Sequence, residues 1–239
     1  MQPTNNPLNI SRRNLIKYGS GFLGASLMAS VLGNNLLHPT AAYAQNQTVT
    51  PDEALAKLIE GNQRFVNQKR INPNQTGQRL SETAESQAPF AAFLGCADSR
   101  VPLEIVFDQG IGDLFVCRVA GNIATNEEIG SLEFGTMVLG AKVLMVLGHE
   151  RCGAVKATLK GGEFPGQIGS LIDAIQAGVG RADTVPGEDP LERAIKANVI
   201  YQAEKLSKST VIAELINKNQ VKIVPAYYDL DTGKVSLLS

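Results

Sequence analysis

Lys142-Val143-Leu144-Met145-Val146-Leu147-Gly148-His149 is the stretch that decides the fold. An unbroken apolar run closed by a glycine reads as a strand buried on both faces. Such strands belong to parallel sheets covered by helices. Phe90-Ala91-Ala92-Phe93-Leu94-Gly95 is a second run of this kind and ends at Cys96. Leu114-Phe115-Val116-Cys117-Arg118-Val119 is a third. Helical patterns lie between and after them. Pro102 opens a short helix to about residue 107. Residues 126–139 read as a helix capped by Thr125 or Asn126, and residues 152–159 as another. Residues 169–178 and 189–219 are also helical, the latter breaking near 207–209. Two strands around a turn at 229–233 finish the chain. Strands alternating with helices predict an α/β fold with a central, mostly parallel β-sheet flanked by helices. In such sheets sites form beyond the carboxyl ends of the strands. Cys96 and His149 both fall there.

Upstream, residues 51–70 carry Leu55, Leu58, Ile59 and Phe65 near helical spacing, with Thr50 or Asp52 as the cap. Residues 72–87 are polar and turn-rich and read as a covering loop or arm. The chain has 239 residues and is 44% hydrophobic, which suits one domain with its own core. The net charge of −1 hides an asymmetry. Residues 1–44 hold Arg12, Arg13 and Lys17 and no acid, leaving 19 basic against 23 acidic residues in the body. A mildly acidic body argues against a nucleic-acid partner. Ser11-Arg12-Arg13-Asn14-Leu15-Ile16-Lys17 resembles the twin-arginine export motif. A weakly apolar stretch and the cleavage signal Ala42-Tyr43-Ala44 follow. Residues 1–44 are therefore expected to be a signal peptide read by the twin-arginine export machinery. Residues 45–239 would form the domain, delivered to the periplasm or an equivalent space with no membrane segment in the mature form. An uncleaved anchor is the alternative, since the stretch is long enough to cross; Gly33, Asn34 and Asn35 weigh against it.

The polar residues at the strand ends form two motifs, Cys96-Ala97-Asp98-Ser99-Arg100 and His149-Glu150-Arg151-Cys152-Gly153. Two thiols, one imidazole and one carboxylate suit zinc, which favours sulfur and nitrogen in a tetrahedral shell. Each residue also has an ordinary account. Cysteine is commonly a small buried apolar residue. His149 can simply be hydrogen-bonded at a strand end, and Asp98 can cap a helix beside a surface Arg100. Cys96, Cys117 and Cys152 are a poor disulfide framework. A Cys96–Cys152 disulfide is the competing redox reading, and it would destroy a metal site.

Taken in order, Cys-Ala-Asp-Ser-Arg and Gly-His-x-x-Cys-Gly resemble the β-class carbonic anhydrases over about residues 87–154. The resemblance implies one Zn2+ per subunit held by Cys96, His149 and Cys152. Asp98 would either take the fourth position or pair with Arg100 and leave that position to water. The implied reaction is reversible hydration of CO2 to bicarbonate and a proton. Hydrolysis of CS2 or COS, or a non-catalytic zinc- or bicarbonate-binding role, would use the same motifs. The implied assembly is a homodimer or homotetramer with the N-terminal helix over the partner. Gln87 would contact substrate oxygen across the interface. Phe115 and Phe134 would be apolar walls near CO2, although core packing explains them equally well. Gly121, in a Gly121-Asn122 turn, would let the backbone approach the site closely, and Cys117 would be core. Phe93 stands where members with an inhibitory bicarbonate site carry tryptophan, and this chain has no Trp. Glu150 and Arg151 would tune the site or face water. His149 is the only histidine in residues 45–239, so proton release would fall to water or buffer.

Overall fold

The computed structural model describes residues 49–182 and 187–238. The leader read in residues 1–44 lies outside them. Helix α1 (Pro51–Val66) is started by a capping box between Thr50 and Glu53, with Pro51 in the first turn. It buries Ala54 and Leu58 in its own subunit's core. The arm that follows is pinned by buried carboxylates. Asp108 accepts from the Ile71 and Asn72 amides and from Arg64, and Asp113 accepts from Asn74. A short helix, α2 (Gly77–Thr83), forms within this arm where a loop is expected. Thr76 caps it by accepting from the Arg79 amide, and it buries no side chain. Local capping, not apolar periodicity, makes it helical, so it carries no amphipathic signature.

The strands are β1 (Ala91–Gly95), β2 (Leu114–Arg118), β3 (Val143–His149), β4 (Lys222–Tyr228) and β5 (Val235–Leu237). They form one sheet in the order β2-β1-β3-β4-β5. The first four are parallel, and β5 returns antiparallel on β4. Side chains alternate as a doubly covered sheet requires. Ala91, Phe93, Val143, Met145 and Leu147 join the core under α1 and α3 (Leu103–Val106). Ala92, Leu94, Leu144 and Val146 join the opposite core. Each fully buried leucine or phenylalanine contributes about 1.5–3 kcal/mol.

The second face is covered by α4 (Asn126–Glu133), α5 (Gly153–Lys160), α6 (Ile168–Val179), α7 (Pro190–Ser207) and α8 (Thr210–Asn217). Ser209 caps α8 and marks the break expected near residues 207–209. The helix expected over 126–139 changes character midway, because residues Phe134–Val138 form a π-helical turn. A Cβ at Gly135 would lie 2.6 Å from the Phe115 ring, so glycine lets this turn press onto β2. Among the described residues no helix is long and apolar enough to cross a membrane.

The chain leaves β1 for β2 on one side, then returns to place β3 on the other. In this strand order the reversal opens a crevice beyond the carboxyl ends of β1 and β3. Gly95 pairs with Leu147 there, which puts Cys96 beside the end of β3.

Candidate metal centre

Cys96 follows β1, His149 is the last residue of β3, and Cys152 is the N-cap of α5. All three are buried, and one ligand atom from each lies within 4.8 Å of the others. No disulfide joins the sulfurs; the three cysteines are free. His149 Nδ1 lies 2.9 Å from the Glu150 carbonyl. A carbonyl only accepts, so Nδ1 donates and the neutral ring presents the Nε2 lone pair. That Nε2 is buried without a hydrogen-bond partner. An orphaned imidazole nitrogen beside two sulfurs is costly unless a ligand fills the gap. Tetrahedral zinc, with bonds of about 2.0–2.3 Å to nitrogen and sulfur, fits that spacing and donor set.

The sulfurs differ in character. A hydrogen bond from Cys152 holds the Cys96 thiol below its ordinary value; burial opposes this and the Gly121 amide supports it. Cys152 is pushed up by that same bond and by burial.

Asp98 pairs with Arg100. Arg100 Nε and backbone N donate to Oδ1 at 2.9 Å, and Nη2 donates to Oδ2 at 2.8 Å. These bonds hold the Asp98 carboxyl well below the usual carboxylate range, against burial. Its Oδ2 lies 3.7 Å from His149 Nε2, so the carboxylate faces the ligand cluster. The helix-capping account fails, because α3 begins only at Leu103.

Gly121 also joins the site: its N–H donates to Cys96 Sγ at 3.4 Å. Its φ of +77° suits glycine, and a Cβ would sit 2.4 Å from Ile175 Cδ1. Gln87, Phe115 and Phe134 lie elsewhere in the same chain. Gln87 precedes β1, and Phe115 pairs with Ala92 near the strand beginnings. Phe134 packs on Phe115 with ring centroids 6.4 Å apart and lines a surface groove with Gln87, Ile111 and Leu139. The depth of a five-residue strand, roughly 17 Å, separates this groove from the ligands. Glu150 accepts from the Leu230 amide and Arg151 pairs with Asp231, so both brace the β4–β5 turn.

Sequence reasoning missed Arg118. Its Nε donates to the Cys96 carbonyl at 2.9 Å and its Nη2 to the Asp98 carbonyl at 2.5 Å, fixing the backbone of the first motif. An arginine at a strand end gives no signal of this by itself.

The sequence profile of the family described as "Carbonic anhydrase" matches residues 91–235. The carbonic anhydrase of Mycolicibacterium smegmatis is 37% identical over 195 residues, covering 79% of this chain and 94% of the relative. Among solved structures, the Coccomyxa β-carbonic anhydrase in complex with acetazolamide superposes with TM-score 0.62 at 27% identity, covering 77% of this chain and 86% of that one. A tetrameric β-carbonic anhydrase from Sordaria macrospora shares the fold, with TM-score 0.62 at 23% identity over 67% of this chain and 85% of that one. Metal-ligand geometry, strand order and these likenesses converge, and the chain belongs to the β-class carbonic anhydrases.

Proposed function

We propose that this protein interconverts CO2 and bicarbonate at a zinc ion held by Cys96, His149 and Cys152. The observation that carries the reading is the buried, unpartnered His149 Nε2 beside two sulfurs and the Asp98–Arg100 pair. Bound zinc supplies a hydroxide nucleophile near neutral pH from water. The protein's residues do the rest. Arg100 keeps Asp98 ionised and oriented, so the carboxylate can accept a hydrogen bond from a hydroxyl near the ligands and leave that hydroxyl oxygen's lone pair facing CO2. Gly121 and Arg118 hold Cys96 in place. The proton leaves by water or buffer, since His149 is occupied as a ligand and residues 45–239 contain no second histidine. Two thiolates donate more negative charge than neutral imidazoles, so activity should rise above neutrality.

The finer reading adds assembly and address. The exposed Phe134, Met137, Val138 and Ile111 leave an apolar surface beside Gln87. A second copy covering it would bring Gln87, Phe115 and Phe134 towards the partner's metal ligands, which they do not reach within one chain. Dimers or tetramers follow, and Phe134→Glu should lower both the mass in solution and turnover. Export by the twin-arginine route to the periplasm, with removal of residues 1–44, is read from the leader motif; the N-terminal sequence of the protein recovered from the periplasm tests it.

Stopped-flow CO2 hydration by the zinc-loaded protein at about pH 7 and about pH 8.5 tests the activity. Fast hydration, rising at the higher pH, is expected. Stoichiometric zinc without hydration at either pH would refute it and turn attention to CS2 or COS hydrolysis or to a binding role.

A further inference from the structure

The apolar face of α7 contains two residues that do not belong in a core. Ala194, Ile195, Val199, Ala203 and Leu206 are buried along this helix, and between them lie Asn198 at 0% and Gln202 at 1% exposure. Burying an amide costs free energy unless its hydrogen bonds are restored. Both side chains hydrogen-bond one four-residue loop after β2, and Gln202 Nε2 also donates to the Ala174 carbonyl of α6 at 3.5 Å. Asn198 Nδ2 donates to the Gly121 carbonyl at 2.9 Å, and Gln202 Oε1 accepts from the Ala124 amide at 3.0 Å. The two amides are themselves joined, Gln202 Nε2 donating to Asn198 Oδ1 at 3.1 Å. They grip the loop at its first and last residues.

The loop donates a hydrogen bond to the metal centre, the Gly121 N–H on Cys96 Sγ, and its Ile123 packs in the same buried cluster as Cys96 and Cys152. The residues around it leave little freedom. Ile175 of α6 closes over Gly121 from the other side. Gly178 of α6 brings that helix directly onto Asn198, where a Cβ would lie 2.8 Å from the Asn198 Cα and Oδ1. Asn122, between the gripped ends, holds φ of +42° and is 1% exposed. Asparagine adopts this left-handed conformation more readily than other side chains.

We infer that Asn198 and Gln202 are positioning residues of the zinc centre: through the Gly121–Ala124 loop they hold the Gly121 N–H against the Cys96 sulfur. An N–H donor on a ligating thiolate draws charge from the sulfur and fixes its lone-pair direction, so the pair sets both how firmly Cys96 binds and how much charge it gives the metal. The inference rests on the zinc reading above and extends it to a helix that supplies no ligand.

Cobalt in place of zinc reports the sulfur directly, through the sulfur-to-cobalt charge-transfer absorption. In Asn198→Leu, which is close in shape but cannot donate, the freed sulfur is more electron-rich and this absorption moves to longer wavelength. Zinc retention against a competing chelator falls roughly tenfold or more. Gln202→Met loosens the far end of the loop and gives a smaller shift in the same direction. Leu206→Ala, buried on the same helix but outside the grip, destabilises the fold and leaves the absorption unchanged. A direct reading needs no variant. In the wild-type protein loaded with NMR-active cadmium, the Gly121 amide proton couples to the metal through sulfur. Absence of that coupling, or variants with the wild-type absorption and zinc retention, would overturn the inference. A wild-type protein that takes up cobalt without any sulfur-to-cobalt absorption would instead sink the zinc-site reading itself.

Discussion

Gly148→Ala tests how closely the helix layer governs the metal centre. The new methyl would lie 2.4 Å from Val199 Cγ2 and 3.2 Å from Ile195 Cγ2. Carbon atoms prefer about 3.5–4.0 Å, so strand or helix must give by roughly 1 Å. Neither yields freely. β3 is laddered to β4 through Gly148 and Tyr227 and to β1 through Leu147 and Gly95. On the helix side, Val199 is fully buried. Overpacking of this kind costs about 1–3 kcal/mol, a fall in Tm of roughly 2–12 °C for a domain of this size. The recoil falls on the next residue, His149. Misplacing a group at a reactive centre by about 1 Å costs on the order of a hundredfold in rate. Thermal unfolding and stopped-flow CO2 hydration read the two effects separately. Adding Val199→Ala removes the clashing methyl and should recover most of the lost turnover, although Val199→Ala alone leaves a small cavity. Wild-type Tm and turnover in Gly148→Ala, or a double variant no better than the single one, would refute this reasoning.

Arg100→Ala should separate activity from stability. The pair is half exposed on the arginine side, where solvent screens it, so its loss should leave Tm almost unchanged. Turnover should fall roughly a hundredfold as Asp98 loses its partner; an unchanged rate would remove Asp98–Arg100 from the mechanism. Asp108→Ala should loosen the arm over residues 71–74 and cost about 1–3 kcal/mol near neutral pH through the lost acceptors. Burial works against the Asp108 charge, yet Arg64 and the Ile71 and Asn72 amides hold its carboxyl below the ordinary value. Its contribution is therefore complete above about pH 4, the unfolded value, and lost as pH falls through the lower folded one. Urea midpoints of wild type and variant should converge in acid, and a constant gap would count against this. Chelation of the zinc-loaded protein should turn one slowly alkylated thiol, the half-buried Cys117, into three as Cys96 and Cys152 lose their metal. Equal labelling before and after chelation would argue that no metal sits on them.

The centre of the parallel sheet was legible because β1, β2 and β3 are short apolar runs, each ending in glycine or a polar residue. The ligands were legible because they sit at those ends in two short motifs. Three kinds of feature were not. Helix α2 is made by the Thr76 cap and buries nothing, so it leaves no periodic trace. The π-helical turn at Phe134–Val138 depends on Gly135 meeting a ring from β2, a contact distant in sequence. The grip of Asn198 and Gln202 was hidden for the same reason. Two amides four apart in an apolar stripe show that something polar faces them, but only the folded chain shows that it is the loop at Gly121.

The ligands come from different strands, and this makes the metal centre a test of sheet registration. Cys96 and His149 approach each other only while Gly95 faces Leu147 across the β1–β3 ladder. A slip of one residue would shift one ligand by roughly 3.3 Å and turn its side chain to the other face. A metal site tolerates about 0.2 Å in its bonds, so misregistered sheets forfeit the binding energy that the native sheet gains. Metal capture thus proofreads the pairing at the centre of the sheet, and a chain that has taken up its ion has, by that fact, set β1 against β3 in register.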